Sequence, residues 1–232
     1  MSTPRQLFAL IFVALLASML GLRAVALETM PVVPAEPVPI AESAGPDSLD
    51  DKASGGTALV GVFEYFNDAT GAYFVTASQD ELAALESGRI PGWKRTQSPE
   101  IFMAFQNPGY FGRGSAPQPV CRYFIPPHSH FLSASKAECD AVGRGNPQFV
   151  LETDSAFHAW LPNAATGKCP ANLRKAGGPL FRPVYRLWNG QADTNHRFTT
   201  SLAVRAEMIA RGWIAEGYGP LGVAMCAPLF AG

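Results

Sequence analysis

Three runs of alternating apolar and polar positions stand out along the chain: "VFEYFN" from Val62, "VCRYF" from Val120 and "VYRLWN" from Val184. β-Branched and aromatic side chains at every second place predict strands with one buried face. Asn67 and Gly71, Pro126 and Gly190 follow the runs, and residues of these types predict hairpin turns. Second strands come next, each leading to a serine: "AYFVTAS", "SHFLSAS" and "NHRFTTS". Five residues before Ser78, Ser135 and Ser201 stand Tyr73, His130 and His196; two before stand Thr76, Ser133 and Thr199.

After each serine the period becomes helical. Ser78 with Glu81, and Ser135 with Glu138, have the spacing of a capping box, in which serine and glutamate satisfy each other's free amides. The third copy has Val204 at the glutamate position. Leu82 and Leu85 are predicted to face the core from the first helix, and Met208 and Ile209 from the third. Gly88, Gly143 and Gly212 stand where a helix ends with a positive φ. Trp93, Phe149 and Trp213 then re-enter the core, followed by "EIFMAF", "AFHAWLP" and "GVAMCAP" as further strands.

The predicted fold class is therefore α+β and β-dominated, with three β-β-α-β repeats in one pseudo-threefold globular domain. The repeats run over about 58–108, 116–170 and 177–228, and their serines are 57 and 66 residues apart. Such units seldom bury their apolar faces alone, so the three must stack into one core. A closed ring, whether trefoil-like, prism or short barrel, would also hide sheet edges.

The ends of the pattern change the picture. Residues 1–26 have Arg5, an apolar run from Leu7 to Leu22 and small residues at Ala24 and Ala26, the layout of a secretory signal peptide. An uncleaved anchor is the competing reading, but the run is short of the ~20 residues a crossing helix needs. Residues 27–56 are rich in proline and acidic or small residues, and predict a disordered tether to a globular domain over 57–232. A secreted or periplasmic destination makes Cys121, Cys139, Cys169 and Cys226 two disulfides in one of three pairings.

Composition narrows the partners. The chain has 232 residues, a formal net charge of -1 and 16% charged residues, without the basic excess of nucleic-acid binders. The expected partners are a glycan or an envelope protein, with no nucleic acid, no stable membrane span after signal cleavage, and no cofactor. "HSH" places His128 and His130 near each other, but no third ligand completes a metal site. No GxSxG elbow is present, and His158, His196 and Cys226 carry no nucleophile context. The "GRG" pieces at Gly112–Gly114 and Gly143–Gly145 lack the lysine and setting of a phosphate loop and read as connectors.

The candidate site is a polar set at matched positions: Arg122, His130 and Glu152, then Arg186, His196 and Glu216. One reading makes it a repeated ligand site, with arginine and glutamate recognising hydroxyls or carboxylates. The other makes it a scaffold pair that fixes each repeat. Trp188 with Asn189, and Tyr65-Phe66-Asn67, offer the flat face and polar neighbour that sugar sites use. Trp93 and Trp213 are expected in the core, Trp160 and Trp188 at the surface.

The third copy, "VYRLWN…NHRFTTS…MIARGWIAEGYG", resembles a repeat of unknown function common in secreted bacterial proteins, patterned Y-R-F-Y-N, H-F-Y-T-T and G-W-x-x-E-G. The likeness runs from Val62 to about Pro228, with Glu64 and Tyr73 departing from the arginine and histidine of the pattern. It implies the repeat architecture and an accessory role, and no reaction. From the residues, repetition and the absence of catalytic motifs predict an exported non-catalytic binding module for carbohydrate or cell-envelope glycan. The alternative is a structural or protein–protein interaction domain without a small ligand. A hydrolase using inter-repeat loops such as "PNAATGKCP" comes third.

Overall fold

In the computed structural model the described residues are 58–97, 99–107, 116–170 and 180–229. The expected signal peptide, the tether and the Gly112–Gly114 connector lie outside them.

The alternating runs form the strands that organise the fold. Strand β1 (Leu59–Asn67) pairs antiparallel with β2 (Ala72–Thr76), β3 (Trp93–Arg95) and β4 (Phe102–Phe105), with α1 (Gln79–Glu86) between β2 and β3. The next stretch holds β5 (Gln118–Pro119), β6 (Cys121–Ile125), β7 (Ser129–Ser133), α2 (Lys136–Gly145), β8 (Val150–Thr153) and β9 (His158–Ala159). Here β6 pairs with β7 and β8, while β9 bridges β5 and β4. The last stretch holds β10 (Leu180–Trp188), β11 (His196–Thr199), α3 (Leu202–Ala210), β12 (Ile214–Glu216) and β13 (Val223–Leu229), with β10 paired to all three other strands. The fold is β-dominated, with three short helices and several antiparallel sheets.

The first valine of each run, Val62, Val120 and Val184, has no exposed surface, and the three share one apolar cluster with Val75, Leu132 and Phe198. Strand β2 touches β7 and β11, and β7 touches β11, so this cluster sits where all three stretches meet. A second cluster packs Leu187, Met208 and Trp160 together, and a third lies under α2 around Cys121 and Cys139. Leu82 and Leu85 are buried as predicted.

Four expectations are corrected. Met208 is buried but Ile209 is 40% exposed, because neighbouring helix positions lie about 100° apart and one stripe faces the sheet. Gly143 is not a stop: α2 continues to Gly145, making "GRG" its last turn rather than a connector. A Cβ at Gly143 would lie 2.5 Å from the Tyr123 hydroxyl, which donates to the Cys139 carbonyl, so the glycine makes room for that ring. Trp160 is buried, with its ring edge-on to Phe105 at 5.4 Å and tilted against Phe181 at 4.9 Å. Trp93 and Trp213 are half-buried at the margins of two clusters.

Two disulfides choose among the three pairings, Cys121–Cys139 and Cys169–Cys226. The first ties β6 to α2 and the second ties the 161–170 loop to β13. In that loop Asn163 Oδ1 accepts from the amide and hydroxyl of Thr166, each at 2.9 Å. The turn it shapes packs Gly167 against the backbone of Tyr218 and Gly219.

Candidate functional site

The polar set grows out of the three helix starts. Ser78, Ser135 and Ser201 each accept, through Oγ, the amide three residues on. The reciprocal half of the expected capping box is absent. Each serine amide instead donates to the hydroxyl two residues earlier: Thr76 at 2.9 Å, Ser133 at 3.0 Å and Thr199 at 3.1 Å. The carboxylates of Glu81 and Glu138 are thereby released from their own helix. They accept from the hydroxyls of Thr76 and Ser133 and reach across to an arginine of the following stretch.

Arg122 on β6 donates through Nε to Glu152 at 2.7 Å, and through Nη1 and Nη2 to Glu81 at 2.9 and 2.5 Å. Its guanidinium lies 5.2 Å from the Phe74 ring centroid. Arg186 on β10 repeats the arrangement, to Glu216 at 3.1 Å and Glu138 at 2.5 and 3.2 Å, with a further bond to the Leu132 carbonyl at 3.2 Å. It lies 4.7 Å from the Phe131 centroid. His130 Nε2 is 3.5 Å from Glu152 and His196 Nε2 is 3.2 Å from Glu216, the latter without the alignment of a full hydrogen bond. Each predicted triplet is thus brought together. Sequence reasoning missed Glu81 and Glu138, visible as capping residues, and the stacked Phe74 and Phe131.

A third contact has the opposite polarity. Glu64, 2% exposed on β1, accepts from Arg197 on β11 at 3.2 and 3.3 Å, and Arg197 stacks 4.5 Å from the Tyr73 centroid. Asn195 fastens the same contact, donating to the Gly71 carbonyl at 2.7 Å and accepting the Tyr73 amide at 3.1 Å.

Ionisation follows the pairing. Burial alone would raise the Glu216 carboxyl, but His196 and Arg186 outweigh it and bring it down to about 2. Glu81, Glu138 and Glu152 are likewise held low against burial by their arginine and hydrogen-bonding partners. Glu64 is raised, because its burial outweighs the attraction of Arg197. A carboxyl depressed in the folded state binds its proton first in the unfolded chain. Glu216 therefore contributes stability that is complete above its ordinary 4.5 and lost as pH falls toward about 2. Melting temperature should drop across that window, and Glu216→Gln should flatten the acid limb; an unchanged limb would sever Glu216 from it.

The remaining candidates have local partners. Asn189 Oδ1 accepts the amides of Gln191 and Asn195, both at 3.1 Å, and its Nδ2 donates to Asp193 at 2.7 Å, so this side chain shapes the β10–β11 turn. Trp188 beside it is half-buried. His128 faces Asp193 at 3.8 Å while His130 faces Glu152, so the two imidazoles of "HSH" turn to different partners. Cys226 is in a disulfide and is no free nucleophile.

A cleft of about 380 Å³ lies over the Cys121–Cys139 bridge, lined by Tyr123 and Leu151 together with the polar Lys136, Asp140, Asp154 and Ser155. Strand β8 borders it as the end strand of the sheet β7–β6–β8. Val150 and Leu151 on β8 are 54% and 51% exposed.

Residues 179–223 match the family profile of a domain of unknown function, DUF5648. The match takes in Arg186, His196, Ser201 and Glu216, so the second polar triplet falls inside the shared segment. Comparisons with curated proteins and with solved structures gave no match.

Proposed function

We propose that the chain is an exported, non-catalytic interaction module of three similar units closed into a pseudo-threefold ring, with its binding face at β8 and the adjoining cleft. The ring reading draws on the matching antiparallel pairing of β1 with β2, β6 with β7 and β10 with β11, and on Val62, Val120 and Val184 in one cluster. Export draws on the N-terminal layout and the two disulfides. No helix among the described residues is long and apolar enough to cross a membrane.

The single observation that carries the binding reading is the exposed apolar pair Val150 and Leu151 on an end strand beside a cleft. An unpaired strand edge offers free backbone donors and acceptors, and a cleft beside it can take alternate side chains. An extended peptide segment of a protein partner is the ligand class that uses both. The arginines expected to hold a sugar are engaged instead: Arg186 is 3% exposed and spends its donors on two carboxylates and a carbonyl.

The test is selection of a displayed random-peptide library on the 57–232 fragment beside a glycan and peptidoglycan panel, with Leu151→Asp and Val150→Lys as variants. Both positions are exposed, so unfolding free energy should move by no more than ~0.5 kcal/mol. Peptide binding should fall at least tenfold. Glycan binding that survives both substitutions, without peptide binding, would return the module to the carbohydrate reading.

A further inference from the structure

We infer that the Glu64–Arg197 pair is a charge key that fixes the order in which the three units pack; this rests on the three-unit ring proposed above. Each unit has a leading face, carried by its first strand, and a trailing face, carried by its second strand and helix. The second and third units lead with Arg122 and Arg186. The first and second trail with a carboxylate and a phenyl ring, Glu81 with Phe74 and Glu138 with Phe131. These faces make the charged contacts between units one and two and between units two and three, beside the backbone pairing of Phe105 with His158 and of Trp160 with Cys226 and the Cys169–Cys226 bridge.

The closing contact reverses every sign. The first unit leads with Glu64, at the place of Arg122 and Arg186. The third unit trails with Arg197, at the place of Phe74 and Phe131, and has Val204 where the others have glutamate. Tyr73 replaces the histidine and takes the stacked guanidinium. Glu64 and Tyr73 of the first copy and Arg197 of the third therefore meet in one contact and compensate one another.

Three similar units on a ring have two cyclic orders, and backbone pairing within each unit does not distinguish them. In the observed order every leading face meets an opposite charge. In the other order the third unit precedes the second, setting Arg197 against Arg122, and the second precedes the first, setting Glu138 against Glu64. Arg122 and Glu64 are 8% and 2% exposed, so these like charges would meet largely out of water. Repulsion between desolvated like charges is a strong discriminator against a wrong partner.

The deciding variant is the reciprocal swap Glu64→Arg/Arg197→Glu, which keeps opposite charges across the seam but gives all three contacts the same polarity. Arg197→Glu alone should lower the melting temperature sharply, and the swap should recover most of the loss. Refolded from denaturant with its cysteines reduced and then reoxidised, the swap should give more than one set of amide peaks in its nitrogen-15 spectrum, where the native chain gives one. A single native-like set from the swap, at the native refolding rate, overturns the key while leaving the ring intact. An unchanged melting temperature for Arg197→Glu means that the seam is not packed, and removes the ring reading with the key. Should the swap not fold, Glu64→Gln/Arg197→Met is refolded in its place: two peak sets support the key and one set overturns it.

Discussion

Replacing Arg186 with alanine should cost about 3–5 kcal/mol of unfolding free energy, the loss typical when one partner of a buried ion pair is removed. The cost is less the lost attraction than what remains. Glu138 and Glu216 would be left in a pocket built around a guanidinium, with His196 and a hydroxyl as partners, to carry an uncompensated charge or take up a proton. A domain of this size has a total stability of roughly 5–15 kcal/mol, so the loss would be a large share of the whole. Arg186→Lys should rescue little, since one ammonium cannot serve carboxylates on two sides and stack on Phe131. Urea titration gives the comparison, with Lys136→Ala as reference. Lys136 makes an exposed i,i+4 pair with Asp140 and should contribute no more than ~0.5 kcal/mol. A loss below ~1 kcal/mol at Arg186 would show a solvated pair and reopen it as a ligand group.

Gly219→Ala should be nearly as severe, for a reason unrelated to charge. The residue has φ +62°, and a Cβ there would lie 2.4 Å from Gly167 N and from the carbonyl of Thr166. These are backbone atoms held by the Asn163 turn and by the Cys169–Cys226 bridge, so neither side can yield cheaply. A left-handed backbone costs an L-residue ~1–2 kcal/mol, and overpacking adds ~1–3. About 3 kcal/mol in urea titration is expected. Gly71→Ala separates the two contributions: φ is +69° but nothing lies within 4 Å of its Cβ, so only the ~1–2 kcal/mol backbone cost should appear. Equal losses at both sites would mean that the 161–170 loop is not seated on the Tyr218–Gly219 turn.

Reading the interlocked arginines as scaffold changes which surfaces are candidates for function. Arg122 and Arg186 each already hold two carboxylates and a ring face, which supports reading them as scaffold. Function then falls to what differs among the stretches. At β8 the strand carries exposed Val150 and Leu151, whereas β3 carries Lys94 and Arg95, and β12 has Ala215 packed against Gly222.

What the chain's sequence determined by itself is whatever depends on near neighbours. The period of two in "VFEYFN" and "VYRLWN", the cap at Ser78 and Ser135, and the positive φ of Gly88 and Gly212 each rest on residues within a few positions. The tertiary structure decided the rest, because the deciding contacts join residues far apart in the chain. Glu81 has the spacing of a capping box, and only the arrival of Arg122, 41 residues on, turns its carboxylate to an arginine. Gly143 has the look of a helix stop until the Tyr123 ring occupies the space beside it. Met208 and Ile209 are interchangeable by hydropathy, and the sheet under α3 selects the first. Glu64 reads as a blemish in its copy; Arg197, 133 residues away, makes it half of a contact. Hydrophobic period and caps are local and so legible, whereas a buried charge is explained only by the partner that the fold brings to it.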